Sequence, residues 1–184
     1  MQRFYVLTLS ILYSCFTLAS SSYQVDLILF TQPQSAAKNS AIVADSPFIP
    51  IIKNAISLKP STKNAHDPYQ LLNSSQSGLK NEYYLLNHKP AYQIIGHYSW
   101  IQPAKNQSAI ALPDINTKGW QVQGTVRVQQ SNYYLLDATI QCSAPNNPQS
   151  SFTVSQKQRL KEAVVYYLDH PQVGMLVKIH KLMA

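Results

Sequence analysis

Few residues in this 184-residue chain are of a type and spacing that could do chemistry. The five histidines are His66, His88, His97, His170 and His180. None is spaced as HxxxH or stands beside paired cysteines, so no metal ligand set is expected. Asp169 and His170 are adjacent, and neighbours on an extended chain point apart; with Pro171 they read as a turn, not a charge pair. The five glycines are scattered, so there is no phosphate-cradling loop, and no G-x-S-x-G elbow occurs. Asp137 and Glu162 are the only acids to consider for proton transfer, and each reads better as a surface or salt-bridged group. The expectation is a protein that is not an enzyme and has no cofactor.

Binding chemistry is better represented. Three tyrosine doublets, Tyr83-Tyr84, Tyr133-Tyr134 and Tyr166-Tyr167, each place one ring outward if they lie on strands. An outward ring offers a flat apolar face to sugar C–H groups and a hydroxyl to their oxygens. The competing reading is packing, because tyrosine favours strands on that ground alone. The formal net charge is +7, which becomes +6 if Arg3 is removed with a leader. A basic exported protein meets anionic surfaces such as lipid headgroups or peptidoglycan stem carboxylates, and export argues against a nucleic-acid partner.

Export is read from the first 22 residues. Arg3 precedes an apolar run from Phe4 to Leu18, and small residues follow at Ala19, Ser20, Ser21 and Ser22. That order is a signal peptide, with cleavage expected near Ala19, giving a leader at 1–19 and a periplasmic location. The run is short for a span, although a retained anchor is the competing reading. Leu12-Tyr13-Ser14-Cys15 resembles a lipidation box only loosely, since Tyr13 is bulky for that site. No other segment reaches spanning length, so no stable membrane span is expected after the leader. Cleavage leaves Cys142 alone, a small buried hydrophobe at a strand end.

The elements that must position these residues are mostly strands. Residues 23–30 (YQVDLILF) put Val25, Leu27 and Leu29 on one face, and Asp26 makes the other face partly wet or paired. Residues 31–78 are polar and aperiodic, a long insertion with one apolar anchor at Phe48-Ile49-Pro50-Ile51-Ile52. Leu79, Tyr83 and Leu86 then mark one face of a short helix. Residues 92–100 read as a strand, followed by a polar loop to Lys118. Residues 120–130 and 133–142 alternate on either side of Ser131-Asn132, a β-hairpin. Residues 152–167 are extended, with a charged middle that is strand or helix by pattern. Asp169, His170, Pro171 and Gly174 form a structural turn, in which Gly174 would supply a positive φ. The fold expected is α+β: one mainly antiparallel sheet of five to six strands, one short helix and long polar loops, in a single domain over 23–184.

Several stretches together resemble the CsiV family of gammaproteobacterial periplasmic proteins. They are Tyr23-Gln24-Val25-Asp26-Leu27-Ile28-Leu29-Phe30 behind the leader, His97-Tyr98-Ser99-Trp100-Ile101-Gln102-Pro103, Tyr133-Tyr134-Leu135-Leu136-Asp137, and Gln156-Lys157-Gln158-Arg159-Leu160. The most specific is Tyr167-Leu168-Asp169-His170-Pro171-Gln172-Val173-Gly174-Met175-Leu176-Val177. The resemblance covers roughly 23–30 and 79–182, and Lys157 and Arg159 stand in looser spacing than the family's doubly arginine segment. It implies a peptidoglycan-binding accessory that acts with a class A penicillin-binding protein and its outer-membrane lipoprotein activator. On that reading Lys157, Arg159 and Lys161 contact stem carboxylates, while Trp100, Gln102 and the outward member of Tyr133 and Tyr134 touch sugar. For Trp100 and Pro103 the competing reading is a packed strand end that caps the core. Two rival functions remain: an adaptor that binds proteins by an exposed sheet edge without glycan affinity, and a divergent hydrolase or transpeptidase, which lacks a visible nucleophile or acid pair.

Overall fold

Alternating apolar positions become strands in the computed structural model, which describes residues 21–32, 54–60, 67–145 and 151–182. In chain order these are β1 (Ser22–Thr31), β2 (Ile56–Ser57), β3 (Gln93–Pro103), β4 (Ile110–Thr117), β5 (Trp120–Gln130), β6 (Tyr134–Ser143), β7 (Ser151–Leu160), β8 (Val165–Leu168) and β9 (Val173–Leu182). One helix, α1 (Lys80–Asn87), follows a 3-10 turn at Ser74–Gln76. The leader and the anchor expected at 48–52 lie outside the described residues.

The strands form two sheets, which corrects the expectation of one sheet of five to six strands. A four-stranded antiparallel sheet has the order β3-β1-β9-β8, and a five-stranded sheet has the order β2-β4-β5-β6-β7. The second is mixed, because β2 pairs parallel to β4. Local causes account for the miscount. β4 occupies the stretch read as a polar loop, and its register slips between Leu112 and Ile115, around Pro113, which breaks the alternation. Residues 152–167 are two strands, β7 and β8, in different sheets. The chain changes sheet through residues 161–164, where Ala163 has φ +59°.

One core lies between the sheets. β1 contributes Val25, Leu27 and Leu29, β9 contributes Met175, Val177 and Ile179, and β3 contributes Tyr98 and Trp100. They meet Val122, Val126, Val128, Leu136, Ala138, Ile140 and Cys142 of the β5–β6 hairpin. The hairpin register pairs Val126 with Ala138 and Gly124 with Ile140, as the alternation required. Burial pushes the Cys142 thiol up to about 12, so it packs as a small hydrophobe. Against the outer face of the four-stranded sheet lies α1. Leu79 is buried there with Ile28 and Phe30, and Tyr83 and Leu86 pack beside them.

That outer face also holds a buried carboxylate. Asp26 is inaccessible to solvent, and its Oδ1 accepts hydrogen bonds from Gln24 Nε2 (2.8 Å), Ser77 Oγ (3.1 Å) and Ser99 Oγ (2.6 Å). His180 Nδ1 stands 3.6 Å from Oδ2. Ser77 Oγ also accepts the N–H of Leu79, starting the helix, and lies 3.0 Å from His97 Nε2. The chain before Ser77 covers the free edge of β3: Tyr69 N–H donates to Ile101 O and Leu72 N–H to Ser99 O, both at 2.8 Å. The later part of the insertion read at 31–78 is therefore bonded to the sheet.

A pH dependence follows from two packed histidines. Burial lowers the His97 pKa against an opposing pull from Asp26, and burial likewise lowers that of His170, with Asp169 opposing. A histidine held neutral in the fold takes its proton more readily when unfolded. Its contribution is therefore full above the unfolded value of about 6.5 and is lost as pH falls through the lower folded value. The melting temperature is expected to drop from pH 7.5 towards pH 5, and His97→Gln combined with His170→Gln should flatten that drop. Melts that rise in acid would contradict it.

Candidate functional site

The β5–β6 hairpin and the end of β7 bring several of the singled-out residues to one corner of the five-stranded sheet. Gln130 pairs with Tyr134 across the hairpin, and Ser131 N–H closes the turn on Tyr133 O at 2.8 Å. On the other side of β6, Tyr134 pairs with Leu160 and Leu135 with Arg159. The Tyr133-Tyr134 doublet divides as a strand end demands. Tyr134 is 4% exposed, edge-on to Tyr23 at 5.1 Å, whereas Tyr133 is 36% exposed. The Arg159 guanidinium carbon lies 4.6 Å from the centre of the Tyr133 ring, which holds a planar cation against an exposed aromatic face.

Beside this pair is a cleft of about 220 Å³ lined by Gln130, Ser131, Asn132, Tyr133, Tyr134, Lys161 and Glu162. Burial first, then the Glu162 carboxylate, raises the Tyr134 pKa, so the phenol stays neutral. Lys161 leaves β7 with its backbone N–H donated to the Tyr166 hydroxyl at 2.9 Å. Among the described residues, neither the Arg159 guanidinium nor the Lys161 ammonium has a carboxylate within ion-pair distance. One row along, Asp137 sits between Arg127 and Lys157 in the register, with Lys157 Nζ 3.5 Å from its Oδ2. Lys157 thus already has an exposed partner, worth at most about 1 kcal/mol.

Trp100 and Gln102 are elsewhere. Both are fully buried, which corrects the expectation that they touch sugar and agrees with the packed strand end. Trp100 Nε1 donates to Gln102 Oε1 at 2.9 Å, and Gln102 Nε2 donates to the Tyr23 hydroxyl at 2.5 Å and to Val128 O at 3.2 Å. Tyr23 donates to Val128 O at 2.9 Å, so the amide bridges the two sheets inside the core. With its Oε1 and Nε2 both bonded inside the protein and no exposed surface, this glutamine belongs to the interior network.

Asp169, His170 and Pro171 form the turn between β8 and β9. Asp169 Oδ1 accepts from Tyr167 (2.7 Å) and Gln32 (2.6 Å), and these bonds hold its carboxyl below the usual range. The His170 ring stacks on Phe152 at 5.7 Å. Gly174 does not have the positive φ expected of it. It is glycine because a Cβ there would run into the Phe30 ring. The cleft residues Gln130, Ser131 and Asn132 were visible in the sequence only as a turn, and Arg127 only as an outward strand position. The register is what sets each of them beside a partner.

Among the described residues there is no group of three or more His, Cys, Asp or Glu side chains able to hold a metal, and no helix long and apolar enough to cross a membrane. No curated protein and no solved structure matches the chain. A family model described as "Peptidoglycan-binding protein, CsiV" matches residues 4–182, running through the insertion as well as the frame on either side. It describes a family of binding proteins, not a known enzyme family, and peptidoglycan lies in the cell envelope. With almost its whole length inside that match, this chain belongs to the CsiV family of peptidoglycan-binding proteins.

Proposed function

We propose that the protein is a periplasmic accessory of cell-wall synthesis that grips peptidoglycan at the corner formed by Tyr133, Arg159 and Lys161, and helps to activate a class A penicillin-binding protein alongside its lipoprotein activator. The leader at 1–19, cleaved near Ala19, delivers a single domain over 23–184. The observation that carries the glycan reading is the pairing of two cations, neither in an ion pair among the described residues, with an exposed tyrosine at one sheet corner. Stem carboxylates take the cations, and a sugar face takes the free area of the Tyr133 ring.

The test is co-sedimentation of the exported protein with purified sacculi over a salt series. Arg159→Ala with Lys161→Ala should weaken pelleting about a hundredfold at low salt, because each removes a charge-assisted contact worth about tenfold. Lys157→Ala should change it by about twofold or less, since Asp137 already screens that charge. All three positions are exposed, so melting should hardly move. A protein left in the supernatant at low salt, or a double variant that pellets like wild type, refutes this site. The first result would favour a second reading, in which β7, an edge strand of 10 residues, adds a strand from a partner protein.

A further inference from the structure

The cleft beside Tyr133 presents opposite charges from neighbouring residues. Lys161 and Glu162 both line it and both are exposed, yet neither forms an ion pair with the other or with any described residue. The acid is steadied by a long contact, Lys181 N–H to Glu162 Oε1 at 3.4 Å. Glu162 shares the cleft lining with the buried Tyr134. A site for carboxylates alone would be weakened by Glu162 beside its cations, because like charges at close range repel. A ligand carrying one charge of each sign uses both residues.

Size narrows the ligand further. At about 220 Å³ the cleft is smaller than the roughly 300 Å³ at which pockets begin to enclose a drug-sized molecule, so it takes one end group and not a disaccharide. We propose that it binds the free zwitterionic end of the stem peptide's diamino acid, and that the protein therefore prefers stems that have not been cross-linked. This rests on the peptidoglycan reading above. The ligand's ammonium pairs with Glu162 and its carboxylate with Lys161, and Arg159, stacked on the Tyr133 ring that lines the cleft, adds a second cation. The amides and hydroxyl of Gln130, Asn132 and Ser131 form the neutral rim. Cross-linking acylates that ammonium, which removes its charge and adds a peptide that the cleft has no room for.

The experiment titrates the exported protein with a purified disaccharide-tetrapeptide monomer, with the same monomer acetylated on its free amine, and with the cross-linked dimer. Sacculus pelleting is run in parallel. The free monomer should bind about tenfold more tightly than the acetylated one, the worth of one charge-assisted contact. Glu162→Gln should bring free-monomer binding down to that of the acetylated monomer, which removes that preference. Equal binding of the free and acetylated monomers, a preference that survives Glu162→Gln, or no monomer binding, each alongside retained pelleting, overturns the zwitterion inference and leaves the peptidoglycan reading standing. Loss of pelleting in the wild-type protein overturns both.

Discussion

Trp100→Ala is expected to destabilise the protein by about 3–5 kcal/mol, the usual cost of removing a large buried aromatic ring. Trp100 has no exposed surface and belongs to the core shared by both sheets. Truncation opens a cavity there and deprives Gln102 Oε1 of its donor, in a network that ties Tyr23 to Val128 across the sheets. For a chain of this length the melting temperature should fall by roughly 6–20 °C. In the cold, where the variant is still folded, sacculus pelleting should match wild type, because no part of the ring reaches the surface. Thermal unfolding followed by circular dichroism, together with pelleting at low temperature, separates the two roles. Unchanged melting with lost pelleting would mean that Trp100 contacts ligand after all.

Asp26→Ala should cost a similar amount, about 3–5 kcal/mol, by a different route. Three donors, from Gln24, Ser77 and Ser99, converge on one buried oxygen, and His180 faces the other. Removing the carboxylate leaves the Ser77 and Ser99 hydroxyls without this buried acceptor, at roughly 1–3 kcal/mol for each that cannot find water, while Gln24 Nε2 keeps its bond to Gln76 O. The loss should also be local, because Ser77 ties the chain covering the edge of β3 to the sheet. Amide exchange at Leu72 and Tyr69, whose N–H groups bond to β3, should quicken more than exchange in the β5–β6 hairpin. Denaturant unfolding gives the size of the effect and amide exchange its location. A change within about 0.5 kcal/mol, the range of ordinary surface substitutions, would show that the cluster is not structurally important.

Much of the framework was legible because it depends on local periodicity. The apolar face of β1, the β5–β6 hairpin and the Leu79-Tyr83-Leu86 face of α1 each follow from the alternation of side chains along a strand or the turn of a helix. The burial of Cys142 follows in the same way. The polarity of Asp26 already signalled that the second face of β1 would need partners. The run around Asp169, His170 and Pro171 announced a turn, and the structure places it between β8 and β9.

What stayed hidden depends on contacts between residues distant in sequence. Alternation says which residues of β3 share a face, but not what covers that face. Trp100 and Gln102 could have faced a glycan until the second sheet was seen packed over them. One sheet became two because the division of residues 152–167 into β7 and β8 is made by a turn at Ala163 that no periodicity marks. Tyr133 and Arg159 read separately as an aromatic and a cation, and only the pairing of β6 with β7 stacks one on the other. The sequence by itself determined most of the element types and the family motif, since each is written in neighbouring residues. Which side chains are left at the surface to bind was decided by the tertiary structure, because burial is a property of the partner surface as well as of the residue.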